Sequence, residues 1–288
     1  MKITFAALTD VGLVRQNNED NYVVCHAGAG VCHIPPPSSY EKTVTVDGRG
    51  TLVAVADGMG GALAGEVASR MAVEALAAVA KEVLAVTDDA QVRDLILRAI
   101  AKANQSIFEA SSTNPDQRGM GTTLTAALLR EGRVQFFQVG DSKGFIGRKG
   151  KLFPMTKDHS LIGQLVDDKV ITPEDAEQLE GGRNIILKAL GAEETIKIDY
   201  SEAPLEEGDV VLLCTDGLHG CVRKGELEQF VADAHDTGKL CEDLVREARD
   251  RGGPDNITVV TVTVLEGEEP PPPPGIMERL RSIFKRES

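Results

Sequence analysis

The chain has 288 residues, 42% of them hydrophobic and 26% charged, which suits one large packed domain or two smaller ones and excludes a wholly disordered chain. Its 45 acidic against 31 basic side chains leave a net charge of -14, and aromatics are 4% with no Trp. That balance offers neither a phosphate-backbone footprint nor a base-stacking platform, so nucleic acid is excluded as a partner.

Residues 1–10 hold too short an apolar run for a signal-peptide core, and no stretch approaches membrane-spanning length, so a cytoplasmic location is expected. Five cysteines, Cys25, Cys32, Cys214, Cys221 and Cys241, are odd in number and scattered, which does not resemble a secreted disulfide framework and fits a reducing compartment better. Arg15-Gln16-Asn17-Asn18-Glu19-Asp20 sets a guanidinium close to two adjacent acids. It suits either phosphate binding beside metal-held water or a solvated surface turn. Residues 27–50 look like an insertion, with loop material from His33 to Tyr40 around three prolines.

A strand is expected at 51–56, then two helices, 64–86 and 92–108, the second with Val92, Leu95, Ile96, Ala99, Ala103 and Ile107 on one stripe. Strands at 123–129 and 134–139 are joined by Arg130-Glu131-Gly132-Arg133, and Arg148-Lys149-Gly150-Lys151 is a second hairpin turn, which argues for antiparallel sheet. Residues 160–190 read as a flap, with a helix start at Thr172-Pro173-Glu174-Asp175 and a loop at Gly181-Gly182-Arg183-Asn184. A strand at 210–215, a helix pair within 224–251 and a strand at 257–264 complete an α+β layered domain that ends near 266. Residues 267–274 are an acidic, proline-rich linker whose five prolines form a stiff spacer of about 15 Å. Residues 275–288 are a basic amphipathic tail with Ile276, Met277, Leu280, Ile283 and Phe284 on one side. Such a tail suits docking on a partner or an anionic membrane surface, or packing on its own domain.

Acidic residues stand at the ends of the apolar strands. Asp57 follows 51–56, Asp141 follows 134–139, Asp216 follows 210–215, and Asp255 precedes 257–264. Each Asp-Gly alone is a turn signal. Side by side in a sheet the four carboxylates would repel one another unless cations lay between them, and an oxygen-only donor set favours Mg²⁺ or Mn²⁺ over Zn²⁺. Gly58-Met59-Gly60-Gly61 before a helix superficially suggests a dinucleotide turn, but Leu63 stands where a third glycine is needed and Asp57 would repel a pyrophosphate. Cys25-His26 with Cys32-His33 could be drawn as a zinc site, although six residues between the cysteines is a poor spacing.

In chain order the sequence carries Thr9-Asp10-Val11-Gly12 with Val14-Arg15 and Asn17 to Asp20, then Val55-Ala56-Asp57-Gly58-Met59-Gly60-Gly61 with Gly65 to Ser69. Gly121-Thr122-Thr123, Val139-Gly140-Asp141-Ser142, Asp158-His159-Ser160-Leu161, Thr215-Asp216-Gly217-Leu218 and Asp255-Asn256-Ile257-Thr258 follow. This ordered set resembles the PPM-type metal-dependent serine/threonine protein phosphatases in their bacterial form, over nearly all of residues 4–264. The resemblance implies a four-layer α-β-β-α sandwich, two mostly antiparallel sheets flanked by helix pairs, with two tightly held Mn²⁺ or Mg²⁺ ions at one end. It implies Asp57 as bridging carboxylate, Asp216 and Asp255 on the first metal, and the Gly58 carbonyl with Glu19 and Asp20 on the second. Asp141 would help hold a weaker third ion, and Arg15 would bind substrate phosphate. Phosphorylated proteins, targets of a serine/threonine kinase, are the implied partners.

Paired cations can acidify a shared water for in-line attack on phosphorus, so no covalent intermediate is needed. Where many family members carry a His near the bridging Asp-Gly, Met59 and Ala62 stand here, which leaves water as the expected proton donor. Lys143 follows Asp141-Ser142 where Arg is common. The competing reading is a non-catalytic phosphoprotein-binding or scaffolding module on the same fold.

Overall fold

The computed structural model describes residues 1–26, 31–33, 39–45, 50–60, 64–176, 179 and 185–266. The elements in chain order are β1 (Lys2–Asp10), β2 (Asn21–His26), β3 (Val31–His33), β4 (Ser39–Thr45), β5 (Thr51–Ala56) and β6 (Gly58–Met59). Helices α1 (Ala64–Val83) and α2 (Asp89–Thr113) precede β7 (Gly121–Thr122), β8 (Leu124–Arg130), β9 (Arg133–Val139), β10 (Lys143–Arg148) and β11 (Lys151–Pro154). Then come α3 (Leu161–Asp167), α4 (Pro173–Ala176), β12 (Asp199–Pro204), β13 (Val210–Cys214), α5 (Asp216–His219), α6 (Lys224–Ala232), α7 (Thr237–Asp250) and β14 (Ile257–Glu266).

Among the described residues the strands form two six-stranded antiparallel sheets, ordered β11-β10-β13-β14-β1-β4 and β12-β9-β8-β5-β2-β3, with β6 and β7 paired as a separate two-stranded sheet. Because side chains alternate along a strand, each sheet feeds two cores. Val53 and Val55 point into the space between the sheets with Phe5, Phe136, Val211, Leu213 and Val260. Their neighbours Leu52 and Ala54 point outward onto Ala68, Ala72 and Leu76 of α1 and Ile96 and Ile100 of α2. Leu212 and Val259 point outward from the other sheet onto Leu227 of α6 and Leu240 and Leu244 of α7. The result is the expected α-β-β-α sandwich, and truncating one of these buried leucines to Ala would cost about 2–5 kcal/mol.

Local chemistry explains several boundaries. Asp88 caps α2 by accepting the Gln91 N–H at 2.8 Å. The two hairpin turns have positive φ at both central positions, Glu131 (47°) with Gly132 (69°) and Lys149 (51°) with Gly150 (72°), the conformation that matches strand twist. The Thr172 hydroxyl accepts the Asp175 N–H at 3.1 Å while Asp175 accepts the Thr172 N–H at 3.2 Å, so the expected helix start is present. The helix it opens is four residues long.

One expectation is corrected. Cys25 is disulfide-bonded, although scattered cysteines in a reducing compartment are not expected to pair, and the residue facing it in the β2–β3 ladder is Cys32. Six intervening residues conceal a cross-strand pair until the hairpin is known, and a sulfur so engaged is not a zinc ligand. The linker 267–274, the tail 275–288, residues 34–38 of the insertion and Gly181 to Asn184 of the flap lie outside the described residues. No helix among the described residues is long and apolar enough to cross a membrane.

Candidate metal and phosphate site

Strand pairing brings the sequence-predicted acids to one end of the sandwich. Asn21 is in register with Ala56, so Asp20 and Asp57 flank the same end of the antiparallel β2–β5 pair. Asp141 leaves β9 in that sheet, while in the other sheet β13 and β14 are neighbours, and Asp216 leaves the first just where Asp255 leads into the second.

The carboxylates are close enough to govern one another's charge. Burial, then Asp20, Asp216, Asp141 and Asp255, raise the Asp57 pKa well above the ordinary range. Burial pushes Asp20 up to about 7, against hydrogen bonds from Thr258 and Thr215. Asp141 is pushed up to about 7 by burial and by Asp216, and Asp216 to about 6 by burial and by Asp255. Burial also raises Glu19, with Arg15 opposing it.

Each acid is held by a specific framework. The Asp57 N–H donates to Thr123 Oγ1 at 2.9 Å, and the Asp57 carbonyl accepts from the Thr123 N–H at 2.9 Å and the Thr122 hydroxyl at 2.8 Å. Asp20 Oδ2 accepts the Thr215 hydroxyl at 2.8 Å, which ties the start of β2 to the end of β13. Gly58 passes so close to the backbones of Gly65 and Glu19 that a Cβ would collide with both, and Ser69 on α1 donates to the Glu19 carbonyl at 2.5 Å. These contacts fix the Gly58 carbonyl and Glu19 together.

Asn256 is a functional framework residue that single motifs do not reveal. Its Oδ1 accepts the Glu19 N–H at 2.8 Å, and its Nδ2 donates to the carbonyls of Val11 and Asn17, each at 2.9 Å. It therefore ties the 11–20 loop to the chain segment carrying Asp255. Gly12, with φ 78°, lies against the Asp255 carbonyl where any Cβ would strike it. The loop so held presents Arg15, half exposed, whose Nη2 donates to Asp255 Oδ2 at 2.7 Å; this contact raises the Arg15 pKa.

Among the described residues no three His, Cys, Asp or Glu side chains form a ready-made ligand set. The fold instead supplies buried oxygens in want of a partner: Asp20 Oδ1, Asp141 Oδ1 and Asp216 Oδ1 make no hydrogen bond. Such atoms are costly to bury, and an all-oxygen donor set in that condition fits a hard divalent cation. Above them opens a cleft of about 1130 Å³, lined by Arg15, Asp141, Asp216 and Asp255 at one end and continuing between α3 and α6. His219, three residues after Asp216, lines it and has Nε2 3.1 Å from the Asp141 carbonyl. The sequence signal for His219 was its place in Thr215-Asp216-Gly217-Leu218-His219, visible only once the acid is known to face a cleft.

A profile of the family described as protein phosphatase 2C matches residues 40–251. The serine/threonine phosphatase stp of Listeria monocytogenes is 35% identical over 254 residues, 88% of this chain and 93% of that protein. The serine/threonine protein phosphatase PstP of Mycobacterium tuberculosis is 35% identical over 92% of this chain, which spans 45% of that longer protein. A crystal structure of the M. tuberculosis phosphatase superposes with a TM-score of 0.76 at 32% identity, covering 92% of this chain and 100% of that one. The catalytic domain of PstP in complex with two manganese ions superposes with a TM-score of 0.73 at 33% identity, covering 92% and 100%. This chain belongs to the protein phosphatase 2C family and is a serine/threonine protein phosphatase.

Proposed function

We propose that the chain hydrolyses phosphoserine and phosphothreonine in proteins with water as nucleophile at a pair of divalent cations, Mn²⁺ or Mg²⁺, held by the acids of the converging strand ends. The observation that carries this reading is the set of unpartnered buried oxygens on Asp20, Asp141 and Asp216, the last two of which line the Arg15 end of the cleft. In the PstP structure with two manganese ions, a protein of the same fold binds this kind of ion.

Asp57 would bridge the two cations, with Asp216 and Asp255 completing the first and the Gly58 carbonyl, Glu19 and Asp20 the second, directly or through water. Asp141 would serve a weaker third ion. Bound there, the cations supply an acidified water and neutralise the phosphoryl oxygens. The protein's own groups do the rest. Thr122 and Thr123 hold the Asp57 backbone, Thr215 orients Asp20, and Asn256 holds the loop from which Arg15 reaches the phosphate. A guanidinium suits that task because it can fork onto two phosphoryl oxygens while staying charged at any working pH. Met59 offers no proton, and we take water as the proton donor to the leaving alkoxide. Phosphoproteins made by a serine/threonine kinase are the substrates this chemistry serves.

The test is phosphate release from a phosphothreonine peptide with Mn²⁺, with Mg²⁺ and after chelation. Turnover should require the cation and fall at least about 10³-fold in Asp57→Asn and Asp216→Asn. Turnover of equal size after chelation would overturn the proposal.

A further inference from the structure

The cleft is larger than one phosphoresidue needs. At about 1130 Å³ it exceeds the usual range of pockets that enclose whole drug-sized ligands, about 300–1000 Å³, so several peptide residues fit within it. Beyond the acids it runs past Thr156, Ile162 and Val166 on one side and Val222 and Leu227 on the other.

Most of the charge on its walls is cancelled in place. Lys143 lies 3.3 Å from Asp158, Lys157 lies 2.7 Å from Asp167, and Arg251 donates through Nη1 and Nη2 to the two oxygens of Glu226, each at 2.8 Å. Arg223 and Lys224, where α6 begins, are different. Both line the cleft, both are exposed, and neither forms a side-chain ion pair with a described residue. Glu226 is the acid nearest in sequence, but Arg251 occupies both its oxygens, and what it offers Arg223 is a bond from the backbone N–H at 2.9 Å. Arg251 does most to lower the Glu226 pKa, and Arg223 lies close enough to add to it. In a chain of net charge -14, two adjacent cations with no ion pair of their own on the wall of the substrate cleft form a local field of the opposite sign.

We propose that Arg223 and Lys224 form an anion subsite that selects phosphopeptides carrying a second anionic side chain beside the phosphoresidue to be hydrolysed. The anion is a second phosphate or a carboxylate. The inference rests on the phosphatase reading above and names the substrate class within it. Its reach is bounded by the chain. Asp216 and Arg223 are separated by the single turn of α5 and the turn at Gly220–Val222 that follows it, where the Val222 N–H donates to the Leu218 carbonyl at 2.9 Å. The two therefore lie at most about 20 Å apart, a span that an extended peptide covers in about six residues. A guanidinium and an ammonium side by side suit an anion that arrives in variable register, because the first forks onto it and the second follows as a flexible point charge. The interaction lies at a solvated wall, so it acts on peptide binding, weakens with salt and leaves the chemical step alone.

The test compares one phosphothreonine peptide with neutral flanks against two relatives. One carries a second phosphothreonine and the other an Asp-Glu pair, three to six residues away. Site-resolved mass spectrometry follows loss of the first phosphate, with Mn²⁺ present. The wild-type chain should prefer at least one anionic peptide by about tenfold in kcat/KM, through KM, and the preference should shrink above 0.5 M salt. Arg223→Ser with Lys224→Gln should abolish it while p-nitrophenyl phosphate, which has no second anion, is turned over within about twofold of wild type. Ser is a favourable residue at the start of a helix, so the variant should fold. Preference for the second phosphate alone identifies phosphate as the anion, and equal preference for both peptides identifies negative charge in general. No preference in the wild type, or one that survives in the variant, overturns the subsite. If no substrate is turned over with the cation, the phosphatase reading fails instead, and fluorescence anisotropy with the same peptides still decides the subsite by the same comparison.

Discussion

His159 stands between Asp199 and the turn that carries Asp141: its Nε2 donates to Asp199 Oδ2 at 2.8 Å while its Nδ1 accepts the Gly140 N–H at 3.1 Å. Its backbone N–H also donates to the Gly140 carbonyl at 3.0 Å, and its carbonyl accepts the Leu187 N–H at 2.8 Å. One buried ring thus joins β12 to the Asp141 turn, and the same residue's backbone adds the segment at Leu187. Its neutral form fits both ring bonds, and burial lowers its pKa despite Asp199. His159→Asn keeps an acceptor near Gly140 and loses the reach to Asp199, whereas His159→Ala loses both. The Ala variant should lose about 2–4 kcal/mol of stability and require more Mn²⁺ for half-maximal activity, with Asn between it and wild type. Thermal unfolding and calorimetric Mn²⁺ titration check the two effects separately; an unaltered Mn²⁺ requirement in the Ala variant would reduce His159 to a packing residue.

Asn256 makes a sharper test of positioning because its amide must both donate and accept. Asn256→Asp preserves size but sets a carboxylate oxygen against the Val11 and Asn17 carbonyls where two N–H bonds now lie. It should therefore destabilise the protein at least as much as Asn256→Ala, about 2–4 kcal/mol, and reduce turnover by displacing the loop bearing Arg15 and Glu19. Denaturant melts and kcat/KM on one phosphopeptide would show it. An Asp variant as stable and active as wild type would mean that the 11–20 loop is held by other contacts.

The parts of this arrangement legible in the sequence were those written in short range. The hairpins at Glu131-Gly132 and Lys149-Gly150 announce themselves by residue type, and the strand-end acids Asp57, Asp141, Asp216 and Asp255 by their place after or before apolar runs. What stayed hidden depends on pairing between distant segments. Thr215 reaches Asp20 across 195 positions and Asn256 reaches Glu19 across 237, and neither distance leaves a trace in local pattern. Cys25 and Cys32 are near in sequence, but that they face each other shows only once β2 and β3 pair. The ends of α2 were read too short because periodicity marks the buried stripe. Asp88 and the polar last turn before Asn114 extend the helix beyond it.

Arg15 lies at the cleft mouth with half its side chain exposed, so it can be replaced without unfolding the protein. Arg15→Lys keeps the charge and loses the fork. Its KM for a phosphopeptide should rise about tenfold with kcat changed less, and Arg15→Ala should raise it further. A fall in kcat at unchanged KM would instead place Arg15 in the chemical step.

The buried acids make a prediction about pH that needs no substrate. Asp20 and Asp141 are raised from 3.8 to about 7 and Asp216 to about 6, so between those limits the folded chain binds more protons than the unfolded one. Stability then falls as pH rises through the window, and it should recover as pH is lowered. His159 works in the opposite sense below 6.5, which limits the clean interval to pH 6.5–8. Across it, the chelated protein should gain about 1–2 kcal/mol on acidification, raising its melting temperature by about 2–6 °C. Mn²⁺ or Mg²⁺ should reverse the slope, because a cation binds the deprotonated carboxylates and competes with protons for them. Calorimetric scans at several pH values, with and without cation, measure both slopes. A melting temperature that is flat in chelator and unmoved by the cation would mean that the acids do not share one site.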